Sequence, residues 1–318
     1  MRASPSDAQT SASAGLSILR YSPALVVLTI VIADAYRIAD PDLWGHVRFG
    51  QMFLASGHVS ATDPFNYSAP NHIWLHHEWL AEAVMGALYN HLGVIGLKLM
   101  KFGCSAAIII FVALAIAETG ASIMAQLAVL LITAMGLTLE MQFRPQMFDF
   151  AFFSAIVWLL ARDTYRGTAP LWIAIPILAV WSNFHGGFFM GLLAIGLYGA
   201  VVGTQSLMAG RGIARGVRIG VIAALGIAAT FVNPLGVETW KTNVVSLHNP
   251  MTAHVMADWR PLLKRLASEP LGSVISLYCC YAIALMLAQP SMIKRPVLDV
   301  GGKLIVGFKS DVYAKAFA

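Results

Sequence analysis

The sequence predicts an all-α membrane protein of about eight transmembrane helices, and three observations lead there. Of 318 residues, 58% are hydrophobic and 12% charged. A soluble domain carries about 25% charged residues, so this chain has too little charge to coat a water-facing surface. Mean hydropathy is +0.70, and apolar runs recur from residue 22 to residue 288. The Lys and Arg behind the net charge of +5 sit in short loops between those runs. Such charge sets topology and forms no single patch for nucleic acid.

Residues 1–20 are Ser/Ala-rich and read as a disordered cytoplasmic N-terminus. A transmembrane domain follows over 21–290, and 291–318 reads as a cytoplasmic tail. The expected spans are 21–36, 97–117, 121–139, 147–161, 169–182, 187–207, 218–233 and 271–288. Ala33-Asp34-Ala35 resembles a signal-peptidase site, but an uncleaved first helix gives the later spans their starting orientation. Residues 79–93 form a further apolar helix, expected to lie in the membrane interface.

With the N-terminus in the cytoplasm, the cytoplasmic loops hold Arg162, Arg166, Arg211, Arg215, Arg218, Lys294 and Arg295, as the positive-inside rule asks. All nine histidines then fall on the outer side, together with most carboxylates outside the termini. Long outer loops explain part of this skew. They do not explain Glu140, Arg144, Asn183 and His185, which sit in short outer turns where polar groups are costly unless solvated or used.

Gly187 and Gly191, and Gly199 and Gly203, are four apart, a spacing that lets helix backbones approach closely in lipid. Trp44, Trp74, Trp79, Trp181, Trp240 and Trp259 are expected in an outer aromatic belt. The three cysteines lie in apolar runs without a CxxC pair and read as small buried residues.

The chemistry-bearing residues cluster in four stretches. In DPDLWGHVRFGQ, Asp40 and Asp42 flank Pro41, which keeps its predecessor extended. Two such carboxylates can bind a divalent cation, or one can act as a base; His46 follows them. HIWLHHEWLAE gathers His72, His76, His77, Glu78 and Glu82. His77-Glu78 is not a zinc-protease motif, because the second histidine would fall at Ala81. In FRPQMFDF, Arg144 can grip a phosphate with two prongs. In WSNFHGGFFMG, Asn183 and His185 can hydrogen-bond a substrate. Further on, Glu238, His248, His254, Asp258 and Arg260 are weaker candidates. No phosphate-binding glycine loop, nucleophile elbow or nucleotide-fold signature is present in the sequence.

These stretches, with TDPFNYS, resemble a group of bacterial integral membrane proteins similar in layout to the GT-C glycosyltransferases. The resemblance spans about residues 20–290. It implies a multi-pass protein of the bacterial inner membrane whose sugar donor is a polyprenyl phosphate. It further implies an acidic base or metal ligand in the first outer loop, here Asp40 or Asp42, with Asp34 behind them. The cation would be Mg or Mn. Arg144, His185 and Asn183, with His46, His77, Glu78 and Arg260, would bind the substrate, and 79–93 would be the membrane-parallel helix. The segment from Lys294 departs from this pattern and faintly resembles the last strands and helix of a glutaredoxin-like domain, without a preceding CxxC.

The leading expectation is therefore sugar transfer to an acceptor on the periplasmic side. Two alternatives stand beside it. A transporter or flippase for a lipid or small solute would place ionisable groups deep within spans. A non-catalytic assembly subunit would tolerate neutral outer acids.

Overall fold

The computed structural model describes residues 40, 42–60, 62, 64–65, 75–248, 297–300 and 303–306. Eight α-helices dominate the described residues: α1 (Leu43–Ser56), α2 (Trp79–Glu118), α3 (Ile123–Glu140), α4 (Gln146–Arg166), α5 (Ala174–Phe184), α6 (Phe188–Met208), α7 (Ala214–Ala229) and α8 (Val237–His248). A 3-10 turn, Leu171–Ile173, leads into α5. The exception to the all-α expectation is an antiparallel hairpin of β1 (Val297–Val300) and β2 (Lys303–Val306), with Val297 opposite Val306.

By length and composition, α2 and α6 are long and apolar enough to cross a membrane. The apolar stretches Ile123–Thr138 and Leu171–Phe184 are shorter. The expected spans 21–36 and 271–288 lie outside the described residues.

Local chemistry sets the helix ends. Ser122 caps α3 by accepting the Ala125 N–H at 3.3 Å, supplying one of the partners a helix start lacks. Pro145 precedes α4, where its missing N–H costs nothing. Gly167 closes the same helix at φ 69°. The helices expected over 79–93 and 97–117 are both present, joined end to end as α2. Gly93, at φ 59° and ψ −145°, separates them, in a region essentially reserved for glycine. The bend is tight: a Cβ on Gly96 would stand 2.5 Å from the Leu88 carbonyl oxygen.

Two cores flank the bundle. Leu43 and Val47 of α1 join Met85, Leu97, Met100 and Ile108 of α2, with Met147 of α4. Trp181 and Leu178 of α5 join Ile156 and Leu159 of α4, Phe188 and Ile195 of α6, and Ile219 of α7. Glycine spacing works in two ways here. A Cβ on Gly216 would stand 2.5 Å from the Gly203 Cα, so the second glycine pair of α6 brings α6 against α7 as expected. A Cβ on Gly191 would meet the Trp181 ring at 2.6 Å, so the first pair accommodates side chains instead.

The tryptophans expected in the belt differ in their surroundings. Trp181 is fully buried. Trp240 stacks on Phe231 at 5.7 Å and donates to the Thr230 hydroxyl at 3.0 Å. Trp44 is half-exposed, edge-on to Tyr89. Trp74 and Trp259 fall outside the described residues.

Candidate functional site

The N-terminal ends of α1, α2 and α4 meet the turn between α5 and α6, and each of the four motif stretches delivers side chains there. Glu78 immediately precedes α2, where a negative charge suits the helix dipole. Its Oε1 lies 3.1 Å from His185 Nε2 and 3.6 Å from His77 Nε2; its Oε2 lies 3.7 Å from His46 Nδ1. One turn on, Glu82 bridges two imidazoles. Its Oε1 is 3.2 Å from His46 Nδ1, and its Oε2 is 3.3 Å from His76 Nδ1. Glu78 and Glu82 share a helix face because they are four residues apart.

His185 ends α5 in an extended conformation and turns its Nδ1 onto the Asp149 carboxylate of α4. The other Asp149 oxygen accepts the Trp181 indole N–H at 2.5 Å. Gly187 makes room for this: a Cβ there would stand 2.3 Å from the Asp149 carboxyl carbon. Gly187, expected as a helix-packing residue, therefore sits against the site itself.

Charge holds the cluster together. Burial alone would lower the His185 pKa, but Asp149 and Glu78 outweigh it and push it up to about 10. Burial alone would raise Glu78, yet the hydrogen bond and charge of His185, with the charges of His77 and His46, hold it at about 2. Burial also opposes the charged form of His46, and Glu82, Glu78 and Asp42 together raise it.

Asp40 and Asp42 stand beside this cluster, engaged by Arg144. Arg144 Nε lies 2.9 Å from Asp40 Oδ1, and Nη2 lies 2.8 Å from Asp42 Oδ2. The Asp42 N–H donates to Asp40 Oδ1 at 2.9 Å, which fixes the turn that the sequence suggested. Arg144 thus stands between the two acids expected as a possible metal pair. Two other groups have ligand atoms close enough for one ion: His77, Glu78 and His185, and His46, Glu78 and Glu82. Both use Glu78. In the first, His185 points its second nitrogen at a carboxylate, the arrangement that orients metal-binding imidazoles.

Asn183 has a structural role. It accepts the Trp79 indole N–H at 3.0 Å and donates to the carbonyls of Ala179 and Val232 at 2.8 and 2.9 Å. It ties α5 to the start of α2 and to the residues after α7. Asp34 and Arg260 lie outside the described residues. Asp149, Glu82 and His76 complete the site; His76 and Glu82 stood in the HIWLHHEWLAE cluster without an assigned role, and Asp149 was not a candidate. An acid in the first turn of an apolar helix (Asp149) and an acid one turn after Glu78 were the available signals.

The opposite end of the bundle is different in kind. Asp163 is 14 positions after Asp149 on α4, about 21 Å along the axis. There Arg215 binds the Asp163 carboxylate at 2.7 Å, Tyr198 donates to it at 2.8 Å, and Arg166 pairs with Glu118 at 2.6 Å. Among the described residues, histidine takes no part in these contacts.

The comparisons with known proteins bear on the C-terminal segment. The ArsC family matches residues 278–316, a stretch that contains the β1–β2 hairpin and begins within the last expected span. No curated protein and no solved structure matches the chain.

Proposed function

We propose that this chain is a membrane glycosyltransferase of GT-C type, transferring sugar from a polyprenyl-phosphate donor to an acceptor hydroxyl at the outer face of a bacterial inner membrane. The observation that carries the reading is convergence. The four stretches that resemble GT-C-like proteins contribute Asp40, Asp42 and His46; Glu78 and Glu82; Arg144 and Asp149; and His185 to one end of the bundle. Membrane residence is supported by α2 and α6 and by the half-exposed Leu99, Ile110, Leu193, Leu197 and Val221 along the bundle exterior.

In this reading the base is Glu82, with Asp40 and Asp42 engaged by Arg144 beside it. Glu82, between the imidazoles of His46 and His76, receives the acceptor's proton directly or through an imidazole. The acceptor oxygen bonds to the anomeric carbon. The carbon–oxygen bond to phosphate breaks, and the phosphate departs with the electron pair. His77, Glu78 and His185 would hold a divalent cation, which would supply positive charge for the departing phosphate; imidazole ligands favour Mn²⁺ over Mg²⁺. Proton transfer to a placed base contributes ~10²–10⁴-fold.

Reconstituted protein supplied with polyprenyl-phosphate sugar tests this. Glu78→Gln, Glu82→Gln and His185→Asn are expected to lose transfer at least ~10²-fold, while Glu118→Gln at the far end keeps it. Full transfer by all three site variants would remove the reading. One observation favours a transporter instead: Lys101 of α2 is fully buried, over the Phe143 ring at 5.0 Å. Solute uptake without a covalent product would select that alternative.

A further inference from the structure

The end of the bundle opposite the histidine cluster carries more positive charge than its acids match. Arg162, Arg166, Arg211, Arg215 and Arg218 gather there against the carboxylates of Glu118 and Asp163. Both acids lie inward, with side chains 9% and 10% exposed. Arg162 and Arg166 share Glu118, and Arg215 takes Asp163. Among the described residues no carboxylate pairs with Arg211 or Arg218, and both are exposed. The acids are consumed beneath the surface, and the surface is left positive. The positive-inside rule asks for basic residues at this end. It does not ask for an unmatched surplus gathered on one element.

That surplus belongs to α7 and the turn before it. Gly210 and Gly212, at φ 66° and 77°, turn the chain and leave Arg211 exposed between them. Gly216 then sits flush against Gly203, and Ile219 and Ile222 enter the core. These contacts fix the rotation of the helix. Its outward side presents Arg218 beside Val217, Val221 and Leu225, which are spaced one turn apart and half-exposed. Arg215 Nη2 is held by the Asp163 carboxylate at 2.7 Å and the Asp163 carbonyl at 3.0 Å. A guanidinium offers five N–H donors, so these contacts pin Arg215 while leaving half of it exposed to another acceptor. A cationic head above an apolar stripe is complementary to an anionic head on a hydrocarbon tail. Guanidinium forks match phosphate oxygens, and basic surfaces beside membrane helices hold anionic lipids.

We infer that α7 binds one anionic phospholipid, its phosphate among Arg211, Arg215 and Arg218 and an acyl chain along Val217, Val221 and Leu225. In the orientation of the glycosyltransferase reading, this lipid belongs to the cytoplasmic leaflet. The inference rests on the membrane residence in that reading and not on sugar transfer. A soluble phosphate monoester offers the same oxygens but leaves the stripe uncovered, so the lipid is the occupant.

The test uses the full chain in phosphatidylcholine nanodiscs with two photoreactive probes, phosphatidylglycerol and phosphatidylcholine, each bearing a diazirine in one acyl chain. Mass spectrometry reads labelling of residues 217–225. The anionic probe is expected to half-saturate at a mole fraction at least about tenfold below that of the zwitterionic one. Arg211→Gln and Arg218→Gln, both at exposed positions, are each expected to weaken it about fivefold, the worth of one surface arginine. Arg166→Gln, whose charge is spent on Glu118, is expected to change it by less than about twofold. Equal labelling by the two probes overturns the site, as does a preference that falls as far in Arg166→Gln as in Arg218→Gln. Soluble glycerol phosphate in excess is expected to leave the labelling unchanged; displacement by it would make this a soluble-phosphate site and overturn the lipid. The wild-type comparison stands even where a variant fails to fold. Selective labelling without sugar transfer would overturn the enzymatic reading and leave this site in place; transfer without selective labelling would do the reverse.

Discussion

Glu78 Oε1 and His185 Nε2 lie 3.1 Å apart, joining the start of α2 to the turn that opens α6. The contact brings together two motifs far apart in the chain and makes Glu78 common to both groups able to hold a cation.

The charge on His185 depends on Asp149. In chelator-treated protein at pH 8, nitrogen NMR of labelled histidine should find His185 carrying both ring protons, since its pKa is pushed up to about 10. Asp149→Asn should return it toward 6.5 and leave it largely neutral at the same pH. A neutral His185 in the wild type would contradict this account.

Stability should follow the same linkage. A raised histidine pKa stabilises the fold fully below pH 6.5, and the effect is lost as pH climbs through about 10. The lowered Glu78 pKa stabilises above pH 4.5, and that effect is lost as pH falls through about 2. The thermal-unfolding margin of wild type over Asp149→Asn should therefore be widest near pH 6, within the overlap of these windows, and shrink toward pH 10. A margin independent of pH would rule the linkage out.

Two glycines of one helix should respond oppositely to alanine. At Gly187 a Cβ would press into the Asp149 carboxylate, so Gly187→Ala should lower the melting temperature and displace the His185 contact. Gly196 has open space around its Cβ position. Gly196→Ala should be neutral or stabilising by up to about 1 kcal/mol, because glycine costs that much within a helix. Thermal shift assays in detergent distinguish the two.

Asp40 and Asp42 share Arg144 but not the same surroundings. The Asp40 side chain is 6% exposed and that of Asp42 is 60% exposed. Removing charge from Asp40 should cost about 2 kcal/mol, the loss of a buried charge-assisted bond. Asp42→Asn should cost under about 1 kcal/mol, as exposed pairs do. Equal losses in chemical denaturation would refute the ranking.

Cation dependence should follow the imidazoles. Treatment with a chelator should lower sugar transfer, and Mn²⁺ should restore it at lower concentration than Mg²⁺. His77→Ala should raise the Mn²⁺ requirement, while Asp40→Asn should leave it unchanged. Full activity in chelator would remove the cation from the scheme.

Much of the helical framework was legible because helix periodicity and apolar run length are local properties. The break near residue 93 could be placed because Gly93 ends one apolar pattern and begins another. The gathering of His46, Glu78, Arg144 and His185 was foreseeable only as a tendency, since all four stretches carry ionisable groups that a bilayer interior would not tolerate unused. Asp149 looked like a span-end acid, and its role depends on a tertiary approach that Gly187 permits. That Arg144 reaches both Asp40 and Asp42 was not legible either, because nothing in the local sequence reveals it.

The sequence alone determined that the chain is helical, apolar, and rich in acids and imidazoles in four short stretches. Composition and run length act residue by residue, so they can be read without a fold. Only the tertiary structure decided which charge faces which. Arg144 closes on Asp40 and Asp42, Glu78 faces His185, and His76 is buried against Glu82. Coulombic and hydrogen-bond energies depend on separations of a few ångströms between distant parts of the chain, and folding alone sets those separations.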